Sequence, residues 1–296
     1  MERKKASDFP PEVLKLFDGY VHGGISRREF LDRAARYAVG GFSAAAMLEA
    51  LSPNFAWGQQ VKPDDKRISV EYVAYLAPKG SGRMRGYLAR PAGARGKLSA
   101  VVVIHENRGL SPYIEDVARR LAAAGYAALA PDALAPLGGY PLGNEDQARE
   151  MWARLDQAKV IEDLVAAVDY VRLHPDANGK VGAIGFCFGG GVVNTIATRY
   201  PDLAAAVPYY GAQPPQAEAA KIRSPMLLHY AGSDTRLNAG WPAFEATLKA
   251  HHVKYEMHTY AGTQHGFHND TTPRYDEAAA KLSWERTLAF FKTHLG

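Results

Sequence analysis

The chain has 296 residues, 47% of them apolar and 22% charged, with a formal net charge of +4 at pH 7. That length suits one large α/β domain plus an extra segment, with enough apolar surface for a core that needs no disulfide. A single cysteine excludes an intrachain disulfide, and the basic residues are scattered rather than interleaved with aromatics, so no nucleic-acid partner is expected.

Residues 1–58 stand apart from residues 59–296. Pro10-Pro11-Glu12, followed by Val13, Leu14, Leu16 and Phe17, reads as the capped start of an amphipathic helix. Ser26-Arg27-Arg28-Glu29-Phe30-Leu31 resembles a twin-arginine export motif. A small, apolar run follows from Tyr37 to Leu51, and Ala56-Trp57-Gly58 has the small-x-small pattern that signal peptidases cut. Two readings stand open. One is an export signal, which would send a folded protein to the periplasm. The other is a retained helical arm on a cytoplasmic protein, packed on its own domain or on a second copy in a homodimer. Glu49 interrupts the apolar run, which is also too short for a stable membrane span. The segment carries eight Lys or Arg against seven Asp or Glu, so it is not a polybasic anchor.

From Ile68 the pattern becomes strands alternating with helices. Ile68–Leu76 and Met84–Ala89, separated by Pro78-Lys79-Gly80-Ser81-Gly82, read as an antiparallel hairpin. Ala100–Ile104 is a continuous apolar run, as in a strand buried on both faces. A helical stretch from Tyr113 to Ala124 leads to a strand at Tyr126–Ala130. Residues 138–155, with Tyr140, Met151 and Trp152, read as a candidate substrate cap. Val160 to Leu173 has helical periodicity. Strands are expected at Val181–Gly185, Ala204–Tyr210, Pro225–Tyr230 and Val253–Tyr260, and a final helix at Thr272–His294. The alternation predicts a mostly parallel central sheet with helices on both faces. In such sheets ligands bind at the carboxyl ends of the strands.

The chemistry-bearing residues fall at those ends. Gly185-Phe186-Cys187-Phe188-Gly189 lies between a buried strand and a helical run from Gly190 to Thr198, as a nucleophile elbow of the α/β-hydrolase fold requires. A lone cysteine is more often a small buried hydrophobe; here the turn points it out over the sheet edge at a helix N-terminus, which favours the thiolate. Asp234 follows one strand and His265 the next. That is the chain order of nucleophile, acid and base in this fold, with Asp234 orienting the imidazole and His265 as general base and acid. An aspartate after Gly-Ser can equally be a helix cap. The strand at Ala100–Ile104 runs into His105-Glu106-Asn107-Arg108. Glu106 can accept a proton from the thiol or hold it, or it can simply pair with Arg108. The backbone N–H groups of Asn107 and Phe188 are the candidate oxyanion donors.

His105-Glu106-Asn107-Arg108-Gly109, Ala130-Pro131-Asp132, Gly185-Phe186-Cys187-Phe188-Gly189-Gly190, Gly232-Ser233-Asp234 and His265-Gly266-Phe267 together resemble the dienelactone hydrolase (carboxymethylenebutenolidase) family over roughly residues 65–295. The resemblance implies a Cys187–His265–Asp234 triad with Glu106 modulating the thiol, acting on a small ester or lactone. His105-Glu106 lacks a second histidine four residues on, and Gly138-Gly139 and Gly189-Gly190-Gly191 do not fit nucleotide fingerprints, so no metal or cofactor is expected. A twin-arginine segment also occurs in a branch of that family. Its best-studied members hold a substrate carboxylate with arginines after the Pro-Asp strand end and just past the histidine. Neither stands here, which leaves Arg108 and Arg274 as candidate substitutes. Two rival readings share the fold: a redox-sensing thiol protein and an inactive binding protein.

Overall fold

The computed structural model describes residues 4–38 and 42–296. Among them, α1 (Pro11–Val21), α2 (Arg27–Ala34) and α3 (Ala44–Leu51) open the chain. Part of the apolar run Tyr37–Leu51 lies outside the described residues. An eight-stranded sheet follows, comprising β1 (Ile68–Ala77), β2 (Gly82–Pro91), β3 (Leu98–Ile104), β4 (Ala127–Pro131), β5 (Ala177–Phe186), β6 (Ala205–Tyr209), β7 (Met226–Ala231) and β8 (Tyr255–Tyr260). Helices α4 (Pro112–Ala123), α5 (Glu145–Ala153), α6 (Gln157–Arg172), α7 (Phe188–Arg199), α8 (Gln216–Ala219), α9 (Thr235–Asn238), α10 (Trp241–Ala250) and α11 (Glu277–Leu295) alternate with the strands from β3 onward.

The strand order is β1-β2-β4-β3-β5-β6-β7-β8. Strands β1, β2 and β4 pair antiparallel, and every pairing from β4 through β3 to β8 is parallel. The expected hairpin and parallel sheet are therefore both present. Side-chain alternation splits the core in two. Val101 and Val103 of β3 face Val117, Leu121 and Phe291 on one side, while Ala100, Val102 and Ile104 face Leu164, Val168 and Val193 on the other. Burial on both faces is why β3 reads as an unbroken apolar run.

Two expected boundaries move near the site, and one helix was not expected. Helix α11 begins at Glu277, because Asp276 caps it by accepting from the Ala279 N–H at 2.9 Å; residues 272–276 form a turn that carries Arg274. Strand β6 stops at Tyr209, since Tyr210 takes a left-handed φ of 35°. Helix α10 has no counterpart in the expected elements.

The arm has its own small core of Val13, Phe17, Tyr20, Phe30, Met47 and Leu51. The Ser-Arg-Arg-Glu-Phe-Leu motif starts α2. Ser26 and Glu29 form a reciprocal capping box, and Phe30 is fully buried. Arg27 donates to Asp146 of α5 at 2.7 Å. Past α3, the Gly58 carbonyl accepts from buried Arg120 at 3.0 Å. Among the described residues no helix is long and apolar enough to cross a membrane.

Candidate active site

Strand order reverses between β4-β3 and β5, so a crevice opens at the carboxyl ends of β3 and β5, where an open α/β sheet binds its ligands. Glu106 and Asn107 leave the end of β3, and Cys187 leaves the end of β5. Asp234 and His265 follow β7 and β8.

Cys187 is the N-cap of α7 with φ 56° and ψ −115°, a strained conformation that L-residues seldom hold. Glycines make that turn possible. A Cβ at Gly189 would stand 2.3 Å from the Ile104 carbonyl oxygen, so only glycine lets α7 dock against the end of β3. The Phe188 N–H is the first of α7 and has no acceptor within the helix.

His265 donates from Nδ1 to Asp234 Oδ2 at 2.6 Å. Its Nε2 is buried, on the Cys187 side, without another hydrogen-bond partner. Asp234 also caps α9 by accepting from the Leu237 N–H at 3.3 Å, so the cap reading and the partner reading hold together. A second imidazole reaches the thiol from the arm. His22, at the end of α1, lies with Nε2 3.7 Å from Cys187 Sγ. Its Nδ1 donates to the Asp18 carbonyl at 2.8 Å and lies 3.3 Å from the Asp18 carboxylate. The two imidazoles meet edge to face, 5.2 Å between centroids.

These contacts set the charges. Burial alone would raise the Cys187 thiol. The positive charge of His265 and hydrogen bonds from His22 and His265 outweigh it and bring the thiol down to about 5. Burial alone would lower both histidines. The Cys187 charge and the Asp234 hydrogen bond lift His265 to about 9, and Asp18 and Cys187 lift His22 to about 10. These shifts all favour a thiolate facing two imidazolium rings at neutral pH. Glu106 is pushed above the usual carboxylate range by burial and then by the Cys187 charge, opposed by Arg274 and by a hydrogen bond from Asn269 at 2.8 Å.

Glu106 thus pairs with Asn269 rather than with Arg108, which is held by Glu145 of α5 at 3.2 Å. Arg274 lies over the Phe17 ring and 3.7 Å from Asp18. Both arginines line the cavity beside Cys187, and each already faces a carboxylate. Asn107 uses its side chain to donate to the Val21 carbonyl of α1 at 2.8 Å, tying the loop after β3 to the arm. The 138–155 stretch does border the site: Glu145 lines the cavity, and Trp152 packs on Phe188 at 4.8 Å between centroids. The remaining cavity, walled by Phe17 and Val21 of α1 and by Phe55, measures only about 40 Å³.

Sequence reading missed His22, Asp18 and Asn269. Asn269 adjoins the His265-Gly266-Phe267 motif and could have been suspected there. His22 follows an ordinary amphipathic helix, and no local signal marks it.

The profile described as the dienelactone hydrolase family matches residues 84–295, and a second, described as YqhI-like, matches residues 1–38. A protein of Escherichia coli (strain K12) named as hydrolase fragment YghX is 55% identical over 114 residues, 38% of this chain and 97% of its own. A Bradyrhizobium protein named as a probable 2-oxo-3-(5-oxofuran-2-ylidene)propanoate lactonase is 32% identical over 241 residues, covering 77% of this chain and 96% of its own. The crystal structure of a chain described as a dienelactone hydrolase, from Klebsiella pneumoniae subsp. pneumoniae MGH 78578, superposes with a TM-score of 0.64 at 27% identity, over 76% of this chain and 99% of that one.

Proposed function

This chain belongs to the dienelactone hydrolase family and is a hydrolase of the α/β-hydrolase fold; on that footing we propose that it cleaves a carboxylic ester or lactone through a thioester formed on Cys187. One observation carries the reading. The thiolate at the strained elbow faces the free nitrogen of an imidazole whose other nitrogen is held by Asp234.

In this reading the Cys187 thiolate attacks the carbonyl carbon. The Phe188 and Asn107 N–H groups receive the developing oxyanion. Imidazolium His265 gives its proton to the departing alkoxide, leaving the thioester. Neutral His265 then takes a proton from water, which attacks the thioester and releases the acid and the thiolate. Asp234 keeps the Nδ1–H tautomer throughout. Glu106, high in pKa and next to the thiolate, holds or accepts a proton as the site charges and discharges. The names of the relatives favour a lactone among the candidate substrates. A sensor or an inactive binding protein would have no use for the Asp234–His265 pair.

The test is a panel of p-nitrophenyl esters, lactones and thioesters with wild type, Cys187→Ala and Cys187→Ser. Both variants are expected to lose turnover by at least about a thousandfold. Turnover unchanged in Cys187→Ala would overturn the reading.

For residues 1–58 we propose retention over cleavage. Cutting after Gly58 would remove His22, the Val21 carbonyl that holds Asn107, and the Phe17 wall of the cavity. N-terminal sequencing of the mature protein with cell fractionation checks this; a mature chain starting after residue 58 would count against it.

A further inference from the structure

We propose that His22, Cys187 and His265 form a binding site for a soft divalent metal ion of the zinc class, and that its occupancy silences the thiol. Cys187 Sγ and one imidazole nitrogen from each histidine all lie within 4.8 Å of one another. Tetrahedral zinc, with Zn–S near 2.3 Å and Zn–N near 2.0 Å, sets sulfur and nitrogen about 3.5 Å apart. The Cys187–His22 separation is 3.7 Å, so a modest contraction on the His265 side completes the set.

The surroundings are those of a metal site as well. Each imidazole has its other nitrogen tied back: His265 Nδ1 to the Asp234 carboxylate at 2.6 Å, and His22 Nδ1 to the Asp18 carbonyl at 2.8 Å with the Asp18 carboxylate at 3.3 Å. Such second partners fix ring orientation and strengthen the donor nitrogen. His265 Nε2 is buried with no other hydrogen-bond partner. Thiolate with two imidazoles selects zinc over hard cations. A fourth position faces the cavity of about 40 Å³, room for about one water molecule.

Coordination takes up the nucleophile's sulfur lone pair and the catalytic nitrogen of His265 together, and the two imidazolium protons leave to solvent. It also draws His22 onto the thiol, which pins α1 over the site. Inhibition rests on Cys187 being the nucleophile; metal binding does not.

The test uses the reduced, metal-free full chain. One equivalent of Co²⁺ is expected to give a thiolate-to-cobalt charge-transfer band, which Zn²⁺ then displaces. By calorimetry, His22→Ala is expected to weaken zinc binding about 100-fold, and Asp18→Asn about 10-fold. His22→Cys, which supplies another zinc ligand at the same place, should recover most of the loss. No band in the wild type, or a loss below tenfold in His22→Ala, overturns the site. Ester hydrolysis in chelator is followed on the same samples. Hydrolysis without zinc binding sinks only the metal site, and zinc binding without hydrolysis sinks only the function proposed above.

Discussion

An ordinary thiol in this protein would be mostly protonated at neutral pH, since a free cysteine titrates near 8.5. Cys187 is instead brought to about 5 and its partner His265 to about 9. The sign of the pH dependence follows. The proposed attacking form needs sulfur deprotonated, so kcat/KM falls as pH drops below about 5. The proposed proton donor needs the imidazolium, so kcat/KM falls again above about 9. These are values of a coupled pair, and the profile reports them as such. A neutral ester assayed from pH 4 to 10 is therefore expected to give a broad plateau with two flanks. A single rise centred near 8.5 would mean that the thiol is not ionised by its neighbours, and the two-imidazole arrangement would lose its chemical meaning.

At the level of elements, the elbow is a packing problem with a residue-specific answer. The sequence presents Gly189, Gly190 and Gly191 as three equivalent small residues. A Cβ at Gly189 would stand 2.3 Å from the Ile104 oxygen and 2.6 Å from the His105 oxygen, backbone atoms that cannot rotate aside. At Gly191 the nearest atom would be 3.6 Å away, an ordinary contact. Gly189→Ala should therefore push α7 off β3, costing about 1–3 kcal/mol or more and displacing the Phe188 N–H. Gly191→Ala should be neutral or stabilising by about 1 kcal/mol, as for alanine over glycine in a helix. Thermal unfolding and kcat of the two variants check this; equal effects would refute the close-approach argument. The strands were legible because β3 through β7 are buried on both faces, and burial writes itself as unbroken apolar runs. Elbow and acid were legible because each sits a few residues past such a run; the base follows the partly exposed β8 and was legible from chain order and its place after the last strand. The start of α11 was misjudged because the Asp276 cap rather than hydrophobic period decides it, and α10 was missed although Phe244 and Leu248 recur at helical spacing. His22 was invisible for a different reason: its role comes from where the arm docks, 165 residues away in sequence from the thiol it touches.

Across the whole molecule, the arm and the site are one problem. Small-molecule sites usually enclose about 300–1,000 Å³, and the cavity here has about 40 Å³. Substrate entry beside Cys187 is therefore expected to displace α1. Withdrawal has a second consequence. Asp18 would leave with α1, so Arg274 would lose the carboxylate 3.7 Å from it and could meet an anionic group on the substrate. An Arg274 freed in this way would be expected to offset the missing family arginines. The latch on this motion lies away from the chemistry. Asp146 of α5 accepts from Arg27 at 2.7 Å and also from the Tyr20 hydroxyl. The ion pair is half exposed and contributes under about 1 kcal/mol; the hydroxyl bond to a carboxylate adds about 1.5 kcal/mol. Together these are about 1.5–2.5 kcal/mol, so Asp146→Ala should raise the open fraction roughly 10–70-fold. Apparent affinity scales with the competent fraction, so KM should fall by a similar factor while kcat changes little. Faster amide hydrogen exchange across α1 should accompany it. A folded Asp146→Ala protein with unchanged KM and unchanged exchange in α1 would show that the arm does not gate the site.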